Sequence, residues 1–170
     1  MLKKFLPLLS SLIFIGILSI TVSTIKKLGY HITYSVTSSM PQGFYLVIPA
    51  KKIAHYDIVE FIPPPSVLDF IKEKHWVPQS GSIIKYAFAI PNDHVCIHDE
   101  AIWINSKKIG PVYKFYAQNK LLPQTKICGK LTEDQYLLLS TENKRSFDGR
   151  YFGTISSKRI LGRAVSIFVN

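Results

Sequence analysis

Hydrophobic and polar positions divide the chain near residue 27. From Phe5 to Ile25 no charged residue appears and most positions are aliphatic. As a helix this run covers about 30 Å, one hydrocarbon thickness of a bilayer. Lys3 and Lys4 precede it, and Lys26 and Lys27 follow it. Beyond it the pattern changes to short alternating runs separated by turn residues, the signature of half-buried strands. Strands are predicted at Phe44–Ile48, Ile58–Ile62, Ile83–Ile90, Val95–His98, Ala101–Ile104, Val112–Tyr116, Tyr136–Leu139 and Ala164–Val169. Asp99-Glu100 and Asn105-Ser106 read as tight turns between neighbours. The expected fold is therefore mainly β, preceded by one N-terminal transmembrane helix.

One segment, residues 63–80, breaks the rhythm. Pro63-Pro64-Pro65 is a stiff stop. Ser66 then reads as an N-cap with Asp69 three residues on. Val67, Phe70 and Ile71 share one face of a short helix running to about Lys74, and Pro78 closes it. This reads as a Pro-rich, helical insertion on a β scaffold.

Charge changes the picture little. Lys and Arg total 21 against 11 acids, a net charge of +10. Four of the basic residues flank the apolar run, which leaves 17 against 11 in the rest. No helix-turn-helix, zinc-finger or RNA-binding signature accompanies this excess, so no nucleic-acid partner is expected. A cleaved signal peptide would have a shorter apolar core and a small-x-small exit. Neither is present, so residues 1–27 read as an uncleaved anchor and residues 28–170 as an exported domain. Lysines at both ends leave orientation undecided by charge asymmetry. A short basic start with the large domain exported is the usual arrangement. Tyr30, Tyr34, Phe44 and Tyr45 are placed to dip into the membrane interface. Cys96 and Cys128 are a disulfide candidate in an exported domain; two buried thiols are the alternative.

The stretch Thr37-Ser38-Ser39-Met40-Pro41-Gln42-Gly43 suits neither strand nor helix. Pro41 fixes the backbone and Gly43 permits a turn, which can present a hydroxyl and its own N–H to solvent. A serine nucleophile needs a base. None of the five histidines (His31, His55, His75, His94, His98) sits in a triad context. The other solution is a lysine kept neutral by burial. Lys85, in IIKYAFAI, is flanked by apolar residues on both faces of its strand. Lys114, in VYKFYA, is the rival, but it can snorkel outward while Tyr113 and Phe115 turn in. His94-x-Cys96-x-His98 would share one strand face. No fourth ligand accompanies it, so no metal is expected.

These residues resemble the serine–lysine type I signal peptidase family. Ser39-Met40-Pro41 follows an N-terminal anchor, as the family's nucleophile does. Asp57-Ile58-Val59, Ile84-Lys85 ahead of Pro91-Asn92-Asp93, and Ser146-Phe147-Asp148-Gly149-Arg150-Tyr151-Phe152-Gly153 follow in the family's order, and Leu161-Gly162-Arg163-Ala164 closes it. Within the family, the chain resembles the TraF-type peptidases of conjugative transfer. Ser39, Pro41, Gly43 and Tyr45 match that branch's Ser-x-Pro-x-Gly-x-Tyr, and Trp76-Val77-Pro78 its inserted helix ending. Cysteines at positions like Cys96 and Cys128 also resemble it. Three departures stand out. Gly149 replaces a usual serine, Asn92 a usual glycine, and Ser140-Thr141-Glu142-Asn143 occupies the place of a Gly-Asp-Asn run.

The resemblance implies a signal-peptidase-like, twisted antiparallel β body and a Ser39–Lys85 catalytic pair. Thr37 and the Ser39 N–H would form the oxyanion site. Ser146 would orient Lys85 by a hydrogen bond, and Asp148 with Arg150 would brace it, with a more direct role open to Asp148. It implies a membrane-held precursor such as a pilin as substrate, cleaved or cyclised, and no cofactor. A housekeeping signal peptidase and a non-enzymatic assembly factor are the rival readings.

Overall fold

The computed structural model describes residues 2–76, 81–98 and 100–169. In chain order the elements are α1 (Leu2–Lys27), β1 (His31–Ser35), β2 (Gly43–Ile48), β3 (Ile58–Phe61), α2 (Pro65–Glu73), β4 (Ile83–Ala89), β5 (His94–His98), β6 (Ala101–Ile104), β7 (Lys107–Pro111), β8 (Phe115–Ala117), β9 (Lys120–Leu121), β10 (Ile127–Lys130), β11 (Gln135–Leu139), α3 (Gly149–Phe152), β12 (Ile155–Ser156) and β13 (Ile160–Val169). The fold is mainly β, as the alternating runs require. Pro78 and Asp99, expected to close the inserted helix and to open a turn, lie outside the described residues.

The apolar N-terminal run forms α1. Between Ser10 and Lys27 it is apolar and long enough to cross a membrane, and none of it is buried against the rest of the chain. Thr21 and Thr24 donate their hydroxyls to the carbonyls of Ile17 and Ile20, which removes them as unsatisfied groups in an apolar setting.

Seven strands form the main sheet, in the order β1-β2-β13-β3-β4-β11-β12, and β10-β5-β6-β7 form a second. Both are antiparallel throughout. β8 and β9 make a separate hairpin. The main sheet curls, and His31 Nε2 of its edge strand reaches Glu60 Oε2 of β3 at 2.5 Å. Ser82 donates to the other oxygen of this buried carboxylate at 2.8 Å. One core lies between the sheets, around Val95, Ile102, Leu137 and Tyr151. A smaller one, with Met40, Tyr45, Val47 and Ile84, lies under the loop after β1.

Alternation places β2 with Gly43, Tyr45 and Val47 inward. Tyr45 is thus fully buried, its hydroxyl donating to the Pro41 carbonyl at 2.7 Å, and cannot be the interfacial anchor expected of it. Tyr30, Tyr34 and Phe44 are exposed. Helix α2 starts at Pro65, one residue before the expected N-cap, and Pro64 holds the cap position without a side-chain bond. A proline suits the first helical turn because its missing N–H would lack a partner there anyway. Ser66 is therefore inside the helix. Val67 and Ile71 bury its inner face, as predicted. The Asn105-Ser106 turn joins β6 to β7, with both residues at positive φ as a two-residue hairpin turn needs. The strand expected at Val112–Tyr116 is displaced: β7 ends at Pro111, and only Phe115–Ala117 pairs, with β9.

Candidate active site

Ser39 sits in the loop between β1 and β2. Met40 beside it is buried, and Tyr45 holds Pro41, so the loop is pinned immediately after the serine. Gly43 ends the loop at φ 145°, and a Cβ there would lie 2.0 Å from the Phe168 carbonyl oxygen of β13. Only glycine lets the two backbones approach this closely.

Lys85 lies on β4, whose neighbours β3 and β11 cover it on both sides. It is buried, and its Nζ is 2.5 Å from Ser39 Oγ. Burial pushes its ammonium down from the ordinary lysine range to about 8; nearby Asp148 opposes this shift and Arg150 adds to it. Thr37 Oγ1 is 2.8 Å from Ser39 Oγ on its other side. Lys114, the rival, is exposed and pairs with Glu100 at 2.6 Å.

Behind Lys85 lies a buried ion pair, Arg150 Nη1 to Asp148 Oδ2 at 2.8 Å. Asp148 also accepts from the Ser140 and Arg150 backbone N–H groups, and Arg150 Nη2 donates to the Ser140 carbonyl at 3.0 Å. Burial pushes the Asp148 carboxyl up, while Arg150 and Lys85 pull it back. Ser140 was not singled out in the sequence. It ties the pair to the Ser39 loop, its hydroxyl donating to the Ser39 carbonyl. The only signal for it was its place in the stretch that departs from the family pattern. Ser146 is buried in the same region, but the hydrogen bond to Lys85 expected of it is not made: its Oγ has no partner among the described residues.

The departures have local causes. A Cβ at Gly149 would lie 2.9 Å from the Leu138 carbonyl oxygen and 2.8 Å from Leu137 Cδ1, so no side chain fits there. Asn92 takes φ 79°, a conformation that asparagine adopts more readily than most residues. Cys96 and Cys128 face each other across β5 and β10 and form a disulfide. His94 is close to both sulfurs, but these are bonded to one another and cannot act as thiolate ligands. His98 instead stacks on Trp103.

Ser39 and Lys85 line a cleft of about 610 Å³ that extends past Ile71, Trp76 and Tyr116. A profile of the family described as signal peptidase, peptidase S26, matches residues 5–169. The chain belongs to the S26 signal peptidase family. Two plasmid transfer proteins TraF from Escherichia coli are each 29% identical to it. One aligns over 138 residues, 74% of this chain and 76% of that protein. The other aligns over 143 residues, 75% and 77%. A probable signal peptidase I-2 from Synechocystis sp. is 28% identical over 115 residues, 64% of this chain and 44% of that protein. A signal peptidase I from Enterococcus faecalis V583, 22% identical, aligns over 66% of this chain and 97% of its own, with a TM-score of 0.39. Membership of the S26 family makes the chain a peptidase with a precursor protein as substrate.

Proposed function

We propose that this S26 peptidase is a membrane-anchored serine endopeptidase in which Ser39 is the nucleophile and Lys85 the general base. The 2.5 Å approach of a buried lysine amine to a serine hydroxyl carries the reading. Neutral Lys85 takes the Ser39 proton as Oγ attacks the substrate carbonyl carbon. The Ser39 backbone N–H has no acceptor among the described residues and is free to bind the oxyanion, with the Thr37 hydroxyl as second donor. Lysine then returns the proton to the leaving amine as the peptide bond breaks. Water, or a peptide amine in a cyclisation, attacks the acyl-enzyme ester and frees Ser39. Asp148 and Arg150 support the base from behind.

Residues 1–27 anchor the chain in the cytoplasmic membrane by a single pass, and residues 28–170 form the catalytic domain on its outer side. The similarity to plasmid transfer proteins supports a transfer-system precursor, such as a pilin, as the substrate. The decisive experiment scores precursor processing in cells carrying Ser39→Ala. Accumulation of unprocessed precursor is the expected result; normal processing would favour a non-enzymatic assembly factor. Rescue of general preprotein export in a signal-peptidase-depleted strain would favour a housekeeping role.

A further inference from the structure

The cleft holding Ser39 and Lys85 is far larger than a hydroxyl and an amine require. Its volume, about 610 Å³, lies in the range of ligand pockets, ~300–1,000 Å³. Its outer part is built by elements added to the main sheet. Helix α2 contributes Ile71, the stretch after it Trp76, and the β8–β9 region Tyr116 and Leu122. Phe147, ahead of α3, completes this wall.

These walls meet through aromatic rings. Trp76 and Tyr116 cross edge to face at 5.2 Å, Trp76 and Phe147 lie at 5.6 Å, and Phe70 touches all three. Yet Trp76, Tyr116 and Phe147 are each only half-buried. Their remaining faces line the cleft, so among the described residues this cluster is a core with one side open. A small side chain placed there would leave apolar walls without contact partners. A bulky apolar one would fill it. Ser146, buried and without a hydrogen-bond partner among the described residues, lines the same cleft and can bond one polar atom of such a guest.

We propose that the wall of Trp76, Tyr116 and Phe147 is a specificity pocket for a bulky apolar or aromatic side chain of the precursor, within a few residues of the scissile bond. The proposal rests on the peptidase reading and names the class of substrate that reading leaves open. The occupant is a segment of the substrate because the pocket is continuous with the space over Ser39 Oγ and Lys85 Nζ.

The test uses the full-length protein in detergent micelles. The chain has two tryptophans, so Trp103→Phe leaves Trp76 as the only one, and its emission reports on the pocket. In a Ser39→Ala background, an alanine heptapeptide with a central phenylalanine and its all-alanine counterpart are titrated. The phenylalanine peptide is expected to bind about tenfold tighter and to shift the emission, with the ratio falling to about threefold in Tyr116→Ala. Equal affinities for the two peptides overturn the proposal.

A randomised peptide library digested by wild-type protein gives the second measurement. Enrichment of Phe, Trp or Leu at one position within three residues of the cut, weakened in Trp76→Leu, supports the pocket. Ser39-dependent cleavage with only Ala or Gly favoured at those positions overturns the pocket and leaves the peptidase standing. Cleavage that persists in Ser39→Ala overturns the peptidase reading itself, and the peptide titration then decides the pocket alone.

Discussion

Lys85 Nζ and Ser39 Oγ are 2.5 Å apart, although 46 positions separate them in the sequence. The contact exists because the loop after β1 is pinned over β4 by buried Met40 and by the Tyr45–Pro41 hydrogen bond. On the proposed mechanism the two groups work as one unit. Ser39→Ala and Lys85→Ala should each lower kcat/KM for precursor cleavage by at least ~10³-fold, and the double variant should be no worse. Lys114→Ala removes only a solvated surface pair and should be near wild type. Additive losses in the double variant would break the pairing.

The pH profile follows from burial. On the proposed mechanism the active form of Lys85 is the neutral amine, and its folded-state pKa is about 8. kcat/KM should therefore rise with pH and level off above an inflection near 8, well below the ordinary lysine value of ~10.4. Asp148 raises the Lys85 pKa. Asp148→Asn removes that pull and should move the inflection to lower pH. An inflection unmoved by that substitution, or one near 10, would contradict the assigned base.

Much of this site could be read from the sequence because its chemistry is local. The Ser39 turn and the doubly apolar strand around Lys85 each show in a short window. The long apolar run and the main strands did too, since alternation is also a local signal. What escaped depends on distant partners. Ser140 gains its role only when β11 brings its hydroxyl to the Ser39 carbonyl and its carbonyl to Arg150. β1, β7 and β10, with the two-residue β9 and β12, are not legible as strands: β1 alternates strictly but over only five residues and with apolar Ile32 and Tyr34 facing outward, and β7 and β10 each carry a glycine that weakens a strand signal. Tyr45 was given to the membrane because composition favours interfacial tyrosines. The pleat of β2 turned it inward instead.

Keeping Lys85 dry has a stability cost with a definite sign. Its pKa falls from ~10.4 in the unfolded chain to about 8 in the fold, so the unfolded state binds more protons between those values. The penalty is complete below pH 8 and disappears as pH rises through ~10.4. Lys85→Met, which keeps the apolar packing, should therefore raise unfolding stability by up to about 3 kcal/mol at pH 7. The gain should shrink toward zero near pH 10.5. Urea unfolding of wild type and variant at both pH values would show it, and a gain that does not vary with pH would rule out desolvation of the amine as its cause.

The Cys96–Cys128 disulfide bears on stability and not on chemistry. It closes a loop with a sequence separation of 32, and neither cysteine lines the cleft that holds Ser39 and Lys85. Joining β5 to β10 limits the unfolded chain, an effect of about 3–4 kcal/mol for a loop of this length. The Cys96→Ala/Cys128→Ala double variant should lose roughly that much in urea unfolding. Below its lowered unfolding midpoint it should cleave with unchanged kcat/KM, because the main sheet that positions the serine and the lysine is paired independently of β10. A fall in kcat/KM at full foldedness would mean that the second sheet helps hold the site, and would tie the bridge to catalysis.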